Sequence, residues 1–581
     1  MSRVFVLSLL VSMACGGGSE GDTSTPVSSD TDTDTDTDTD TDTDTDTAAS
    51  TADTALPVDS DGDGFDSTVD CDDNDPNAGG GAEVPYNGRD DDCDPATLDD
   101  DLDEDGYLLA DDCDDTDALT YPGAPRRLFI DSDCSGVVSD RAATADFVFT
   151  GSASQTLVDV EPAGDVDGDG LPDLLFHVVN GAYIAHSLLF LGANLSAPGQ
   201  VSFDDADHVF VGQGSPTQSV VSSAGDVDGD GLDDLMMSLP VNYDGGEVHL
   251  FLGSSLGGVQ QIAVADSDYV LRGAGVTDRA GTALAAAGDI DGDGLDDLMV
   301  AHGIFTDGGS VAVVLGSRLG ATREIWLADA DYTFTGEASG DQAGTSVASA
   351  GDIDGDGRPD LLIGAPWASN TDGSRRAGRA YVFLAAHLVP GVTSLADADF
   401  ILESDTVNPY GAEAMSYLGQ SVSSAGDVDG DGLDDLLVGA PGMLNYPYWY
   451  GNGGVAYLML SANLAPLTNL DAAGIAFHGS SHIDQAGRSV SSADLDGDGL
   501  SDLIVGAPEL FDYYAIGSTY VFLGSQVAGN TLVPDFVVVG DASTSVLGQH
   551  VSGFPDLDGD GRDELLMGEP RRNVYLGLSR L

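Results

Sequence analysis

The chain has 581 residues and a formal net charge of −83 at pH 7, from 101 acidic and 18 basic side chains. A charge this negative repels nucleic acid and anionic lipid surfaces, so we expect neither as a partner. The 41% hydrophobic content and the 77 glycines nevertheless predict a folded, turn-rich body. Because the acidic residues recur at fixed spacings, they indicate cations as their counter-charge.

Residues 1–15 have the pattern of an export signal. Arg3 supplies a short positive region, residues 4–11 an apolar stretch too short to span a bilayer, and residues 12–15 a small-residue cleavage site. Cys15 resembles the acylated cysteine of a bacterial lipoprotein, although Ser12 stands where leucine is usual. An ordinary signal peptide with an incidental cysteine is the alternative. We predict a protein that is secreted or held in the cell envelope, as a bacterial outer-membrane lipoprotein or at the cell surface.

Residues 16–58 are predicted to be a disordered linker. Aspartate and threonine alternate through residues 30–47, and like charges two residues apart repel each other and extend the chain. Because both members of the alternation are polar, no face is available to join a core. We therefore expect a spacer with no chemistry of its own.

Residues 59–140 contain two Cys/Asp-rich units. In each unit, carboxylates at positions 1, 3, 5 and 12 surround a glycine, which is the layout of an EF-hand-type cation loop. The predicted ligands are Asp59, Asp61, Asp63 and Asp70 in the first unit and Asp101, Asp103, Asp105 and Asp112 in the second. Aspartate at position 12, in place of the longer glutamate, predicts weaker closure of the site.

Four cysteines, Cys71, Cys93, Cys113 and Cys134, accompany these loops. In an exported segment they predict two disulfides, and the repeat favours Cys71–Cys93 with Cys113–Cys134 among the three pairings. A thiolate metal site is the alternative, but no CxxC spacing supports it. The units resemble the bacterial metal-binding repeat named after the copper-binding protein MopE. Residues 59–140 lack histidine and methionine, however, so their oxygen ligands favour calcium over copper.

The remaining residues repeat one acidic loop of nine residues seven times, at intervals of roughly 60–75 residues. Four short apolar runs accompany each loop, a pattern typical of a propeller blade. We predict an all-β fold, a seven-bladed β-propeller over residues 145–581, preceded by the tether and the small disulfide-linked calcium-binding region. The last repeat stops after its third strand, and residues 146–150 match an unpaired fourth strand. We therefore expect this N-terminal strand to close the ring.

Positions 1, 3, 5 and 9 of each loop supply carboxylates, glycine at position 6 permits a sharp turn, and the residue at position 7 offers its backbone carbonyl. This pattern predicts a calcium shell of six to seven oxygens. Glu564 replaces aspartate at position 9 of loop 7, which makes that site the least regular. For loops 1–7 the predicted ligands are Asp165, Asp167, Asp169 and Asp173; Asp226, Asp228, Asp230 and Asp234; Asp289, Asp291, Asp293 and Asp297; Asp352, Asp354, Asp356 and Asp360; Asp427, Asp429, Asp431 and Asp435; Asp494, Asp496, Asp498 and Asp502; and Asp556, Asp558, Asp560 and Glu564.

These repeats resemble the FG-GAP repeats of the integrin α-subunit propeller. Gly344 and the triplet at residues 364–366, with equivalents at 439–441 and 506–508, carry the resemblance. In that family the acidic loop joins two strands of a blade and binds calcium. One departure limits the analogy: no extra domain interrupts the blades, so we expect no Asp-x-Ser-x-Ser metal motif of the inserted ligand-binding kind.

Two further motifs are candidates for catalysis or metal binding. Residues 253–257 match GxSxG, but they align with a turn in the next repeat that lacks the serine. His478 and His482 lie four residues apart in a Ser/Gly-rich segment, where exposed loop histidines are a better explanation than a metal pair. We therefore expect a protein that is not an enzyme.

The function predicted from the sequence is extracellular recognition or adhesion by a monomer, with a protein or a glycan as the partner. Tyr446, Tyr448, Trp449 and Tyr450, in the divergent insert of residues 405–417 and 442–454, are candidate contact anchors. Packing between the long loops is the alternative role for these aromatic residues. A structural calcium-binding protein of the cell envelope is a second hypothesis, and a hydrolase of the FG-GAP-containing type is a third.

Overall fold

The computed structural model describes Ala142 and residues 145–577, except for short segments at 153–154, 181–183, 196–197, 213–218, 241–244, 259, 305–307, 321, 372–376, 405–415, 443–452, 480–483, 509–515, 528–531, 541–545 and 570–572. The export signal, the linker and both Cys/Asp-rich units lie outside the described residues. The predictions for Cys15, for the eight aspartates of those units and for their four cysteines therefore stay predictions. The aromatic residues at 446–450 and His482 also lie outside the described part.

The described residues form short strands joined by tight turns. In chain order the strands are β1 Phe147–Thr150, β2 Gln155–Gly164, β3 Asp173–Asn180, β4 Ala185–Phe190, β5 Gly199–Ser202, β6 His208–Val211, β7 Val221–Gly225, β8 Asp234–Leu239, β9 Glu247–Phe251, β10 Gln261–Ala263, β11 Tyr269–Arg272, β12 Leu284–Gly288, β13 Asp297–His302, β14 Ser310–Val314, β15 Glu324–Trp326, β16 Tyr332–Thr335, β17 Ser346–Gly351, β18 Asp360–Ala365, β19 Arg379–Phe383, β20 Gly391–Ser394, β21 Phe400–Glu403, β22 Ser421–Gly426, β23 Asp435–Ala440, β24 Val455–Met459, β25 Leu467–Asn469, β26 Ile475–His478, β27 Ser489–Ala493, β28 Asp502–Ala507, β29 Ser518–Phe522, β30 Phe536–Val539, β31 His550–Phe554, β32 Glu564–Glu569 and β33 Asn573–Gly577.

The helices are single turns. Two are α-helical, α1 Gly253–Leu256 and α2 Leu470–Ala473. The 3-10 turns are Gly192–Asn194, Phe203–Asp205, Val264–Asp266, Gly316–Arg318, Leu327–Asp329, Ala385–His387, Leu395–Asp397, Ser461–Asn463 and Gly524–Gln526. Within the described ranges, no helix has the length and apolar character needed to cross a bilayer.

The described strands assemble into seven sheets, each built on four antiparallel strands, which confirms the predicted seven-bladed propeller. From the inside outwards, blades 1–7 are β2-β3-β4-β6, β7-β8-β9-β11, β12-β13-β14-β16, β17-β18-β19-β21, β22-β23-β24-β26, β27-β28-β29-β30 and β31-β32-β33-β1. The second strand of a blade is buried on both faces because it lies between neighbouring blades, and for this reason its sequence is continuously apolar, as in β18. The innermost strands surround a central channel of about 580 Å³.

The N-terminal strand closes the ring, as predicted. Strand β1 pairs antiparallel with β33, with Phe147 opposite Leu576 and Thr150 opposite Asn573. The innermost strands also contact one another in an unbroken circle, because β31 of blade 7 lies beside β2 of blade 1. The first and last described strands of the chain therefore share one blade.

The hydrophobic core consists of seven clusters, one between each pair of neighbouring blades. At the closure between blades 7 and 1, the fully buried ring of Phe149 lies 5.1 Å from the rings of both Phe176 and Phe190. Aromatic edge-to-face contacts of this kind add to the free energy gained by burying apolar area. Each blade is thus stabilised mainly by its neighbours.

A fifth strand, which the sequence patterns did not predict, extends five of the sheets. It comes from the following blade and pairs parallel with the outermost strand: β5 with β1, β10 with β6, β15 with β11, β20 with β16 and β25 with β21. Each such strand covers a sheet edge that would otherwise present unpaired backbone groups. Neighbouring blades are therefore linked by backbone hydrogen bonds as well as by side-chain packing.

Candidate metal centres

Each acidic loop joins the innermost strand of a blade to its second strand, as the family resemblance implied. In blade 4 the loop begins at Asp352, directly after β17, and position 9 is Asp360, the first residue of β18. Glycines at positions 4 and 6 adopt positive φ, 77° at Gly355 and 85° at Gly357, a conformation that L-residues with a Cβ rarely adopt. All seven loops therefore turn tightly enough to bring their carboxylates together.

The aspartate at position 1 organises the backbone of its own loop. In loop 1 the N–H of Gly168 donates to Asp165 Oδ1 at 2.8 Å, and the N–H of Gly170 donates to Asp165 Oδ2 at 2.9 Å. The same two hydrogen bonds recur in the other six loops, at 2.7–3.0 Å. In every loop the residue at position 7 also donates its N–H to the carboxylate at position 5.

The carboxylate at position 9 is buried and accepts two backbone hydrogen bonds. Asp173 has no exposed surface; it accepts from the N–H of Val166 at 2.9 Å and from that of Gly192, beyond the third strand, at 2.8 Å. Equivalent pairs occur in loops 2–6. Position 9 therefore anchors its blade in addition to any role as a ligand.

In each of loops 1–5, three of the four predicted ligands lie close enough together to share one cation. In loop 1, one ligand oxygen from each of Asp165, Asp167 and Asp173 lies within 4.8 Å of the others. Corresponding groups are Asp226, Asp228 and Asp230; Asp289, Asp291 and Asp297; Asp352, Asp354 and Asp356; and Asp427, Asp429 and Asp435. Partial burial and the charges of Asp169 and Asp165 raise the pKa of Asp167, which shows that the carboxylates are crowded. An all-oxygen, anionic donor set of this kind fits a hard divalent cation.

Loops 4 and 7 differ from the other five because arginine replaces leucine at position 7. In loop 4 the Arg358 guanidinium donates to Asp356 Oδ2 at 2.8 Å, and this hydrogen bond lowers the pKa of Asp356. The arginine thus occupies an oxygen that the sequence pattern had offered to the metal. In loop 7, Glu564 accepts from the N–H of Leu557 at 3.0 Å, so the longer side chain reproduces the position-9 contact.

Burial raises the pKa of the six position-9 aspartates to about 7 and that of Glu564 to about 9. We expect metal-free protein to become less stable as the pH rises from about 4 through about 7. The folded state keeps protons in this window that the unfolded state, with aspartate pKa values near 3.9, has released, so the free energy of unfolding falls with rising pH.

A bound cation favours the ionised carboxylates, so this loss of stability should shrink or vanish in millimolar calcium. Thermal melts of metal-depleted and calcium-loaded protein across the same pH series would measure the difference. Equal pH dependence in the two states would contradict the expectation.

The described residues include the GxSxG match and one of the two candidate metal-binding histidines. Ser255, the serine of the GxSxG match, lies in α1 and donates its Oγ proton to the Asp268 carboxylate at 2.6 Å. The match therefore falls on the turn after the third strand of blade 2, as the repeat alignment indicated. His478 is exposed at the end of β26.

The fold and these loops together define a class of protein, a seven-bladed β-propeller with an acidic loop in each blade. Comparison with known families matches residues 343–383, 418–459 and 486–522, which are repeats of blades 4–6, to the FG-GAP repeat. Residues 70–99 and 112–140 match a metal-binding motif of the MopE type. Blades 4–6 therefore contain FG-GAP repeats, and the chain is similar in sequence to integrin α-subunits.

Three of these relatives are each 30% identical to the chain. Integrin alpha-PS2 of Drosophila melanogaster matches over 248 residues, 42% of this chain and 16% of the relative. Integrin alpha pat-2 of Caenorhabditis briggsae matches over 227 residues, 36% of this chain and 17% of the relative. Integrin alpha-5 of Xenopus laevis matches over 162 residues, 27% of this chain and 14% of the relative. The chain thus covers about a sixth of the length of these proteins.

Proposed function

We propose that this protein is a calcium-binding recognition or adhesion module that works outside the cell, either secreted or attached to the envelope. The observation that carries the proposal is the contrast between the two ends of the propeller. At one end the seven acidic loops have a constant length and repeat the same hydrogen bonds. At the other end, the connections between strands vary in length, which is expected of a surface that is adapted to one partner.

Calcium is the cation that best suits the acidic loops. Calcium accepts six to eight oxygens in a flexible shell, whereas magnesium demands near-octahedral geometry and retains several waters. Each loop offers several carboxylates and a backbone carbonyl at position 7. Extracellular calcium is abundant enough to fill sites of modest affinity. The aspartates at positions 1, 3, 5 and 9 would hold the ion, which would neutralise carboxylates that otherwise repel each other.

The opposite end of the propeller, which we call the variable face, consists of the connections between second and third strands and between consecutive blades. Seven residues separate β13 from β14, but fourteen separate β23 from β24. Eleven residues separate β11 from β12, but seventeen separate β21 from β22. Loops carried by a rigid scaffold and free to vary in length are common sites of recognition. The aromatic residues at positions 446–450 belong to one of the two longest of these connections.

Protein and glycan arrays, probed with and without calcium, would test the proposal. We expect calcium-dependent binding to at least one partner, and we expect the double substitution Tyr448→Ala with Trp449→Ala to weaken it at least tenfold while leaving the melting temperature unchanged, since hot-spot aromatics contribute about 2 kcal/mol or more. Trp326→Ala is the control, because Trp326 is 45% exposed on the outer strand β15 and lies outside the insert that contains Tyr448 and Trp449.

A large loss of stability in the double variant would instead favour packing between the long loops. Calcium binding with no partner on either array would favour the second candidate, a structural calcium-binding protein of the envelope. The acidic loops support that candidate equally well; the variable face is what favours recognition.

A further inference from the structure

Neighbouring acidic loops are joined by reciprocal hydrogen bonds. The N–H of Asp165, at position 1 of loop 1, donates to the carboxylate of Asp233, at position 8 of loop 2, at 2.8 Å. The N–H of Asp233 in turn donates to the carbonyl of Asp165 at 3.0 Å. The same pair of bonds, at 2.8–3.1 Å, joins three further loop pairs: Asp226 with Asp296, Asp352 with Asp434, and Asp494 with Asp563.

The preceding residue leaves room for these contacts. Gly164, Gly225 and Gly351 come directly before position 1 and adopt positive φ. A Cβ added to any of the three would lie 2.1 Å from the Oδ2 atom of the position-8 aspartate, well inside van der Waals contact. Glycine at these points therefore lets the carboxylate of one blade approach the loop backbone of the blade before it.

Three of the seven junctions lack the reciprocal pair. Position 8 is Pro172 in loop 1 and Pro359 in loop 4, and proline has neither a backbone N–H nor a side-chain acceptor. Loop 6 has Ser501, which keeps the backbone bond to the Asp427 carbonyl at 3.1 Å. The two prolines and Ser501 thus divide the ring into three runs joined by reciprocal bonds: loops 1–3, loops 4–5 and loops 6–7.

We propose that the aspartates at position 8 are positioning residues that couple cation binding between neighbouring loops, so that cations bind cooperatively within loops 1–3, within loops 4–5 and within loops 6–7 but independently between these runs. This inference rests on the proposed binding of calcium by the loops. It adds a role for four aspartates that are not themselves among the predicted ligands.

The coupling follows from the hydrogen bonds made at positions 1 and 8 and from the covalent link between positions 8 and 9. Position 1 organises its own loop through both carboxylate oxygens, and its backbone is held by position 8 of the next loop. Position 8 is covalently joined to position 9, whose carboxylate belongs to the next cation site. A cation that orders one loop therefore fixes position 8, and the preceding loop then loses less conformational entropy when it binds its own cation.

Calcium titration of the metal-depleted full chain, by calorimetry and by native mass spectrometry, tests the coupling. Asp296→Ala cuts the junction of loops 2 and 3, and we expect it to weaken calcium binding at the dependent loop about fivefold or more and to flatten the isotherm. Asp296→Asn keeps a side-chain acceptor and should restore most of the cooperativity. Asp329→Ala removes an equal charge from an exposed turn of the same blade and should leave the isotherm unchanged.

The variant Pro359→Asp supplies the missing link between loops 3 and 4 and should make the isotherm steeper. This variant also tests the coupling between loops if Asp296→Ala fails to fold. Isotherms of Asp296→Ala and Pro359→Asp that overlay the parent isotherm would overturn the coupling while leaving calcium binding intact. If the propeller bound no calcium at all, the proposed function itself would fall.

Discussion

Removal of divalent cations should lower the melting temperature of the protein by about 3–11 °C. If each loop binds calcium with a Kd of about 10⁻⁴–10⁻³ M, millimolar calcium contributes roughly 0.4–1.4 kcal/mol per site, or about 3–10 kcal/mol for seven sites. A propeller of about 430 residues has an unfolding entropy of about 0.9 kcal/mol/K, which sets the temperature shift. Differential scanning calorimetry with and without a chelator measures it.

Two controls separate cation binding from a general salt effect. Restoring calcium should restore the melting temperature, whereas sodium chloride at equal ionic strength should restore little of it, because the crowded carboxylates need a ligand and not only screening. An identical melting temperature before and after chelation would contradict cation binding by the loops. Magnesium should restore less than calcium if the shell is as flexible as we propose.

The substitution Phe149→Ala should destabilise the protein by about 3–5 kcal/mol, which corresponds to a loss of about 3–6 °C in melting temperature. Phe149 is fully buried in the strand that closes the ring, and its ring contacts Phe176 and Phe190 of blade 1. Truncation to alanine leaves a cavity at the one junction where the two ends of the propeller meet. Chemical denaturation measures the change in unfolding free energy.

Val148→Ala is the matched control. Val148 lies in the same strand but is only partly buried, against the cluster between blades 6 and 7. Its truncation should cost about 1 kcal/mol, since one small apolar group is removed and the site is partly open. Equal losses in the two variants would mean that β1 contributes by backbone pairing alone and that the aromatic cluster adds nothing.

Most of the fold could be predicted from the sequence because the same pattern of apolar strands and acidic loops recurs in every blade. Buried second strands such as β18 are continuously apolar, and the spacing of seven acidic loops determines the number of blades. The closing strand was predictable because Phe147 and Phe149 match fourth strands elsewhere. By contrast, the fifth strands were not predictable: β5 has the sequence Gly-Gln-Val-Ser, which is too short and too polar to carry a periodic signal.

The site was predictable only in part. The carboxylate spacing predicted four candidate ligands in each loop, and in loops 1–5 the structure brings three of them within 4.8 Å of one another. However, a sequence gives no signal that position 9 accepts two backbone hydrogen bonds, because one donor, Gly192, lies nineteen residues beyond Asp173. Nor could it show that Asp233 reaches the backbone of Asp165, since the two residues lie 68 apart and meet only when two blades stand side by side.

The pairing of β1 with β33 has a consequence for synthesis and folding. Thr150 and its partner Asn573 are separated by more than four hundred residues, so the ring cannot close until nearly the whole chain has left the ribosome. The parallel fifth strands give assembly a direction, because blades 1–4 each receive an outer strand from the blade that is synthesised next. Blades should therefore be completed in order from the N-terminal side, with the joining of β1 to β33 as the slow final step.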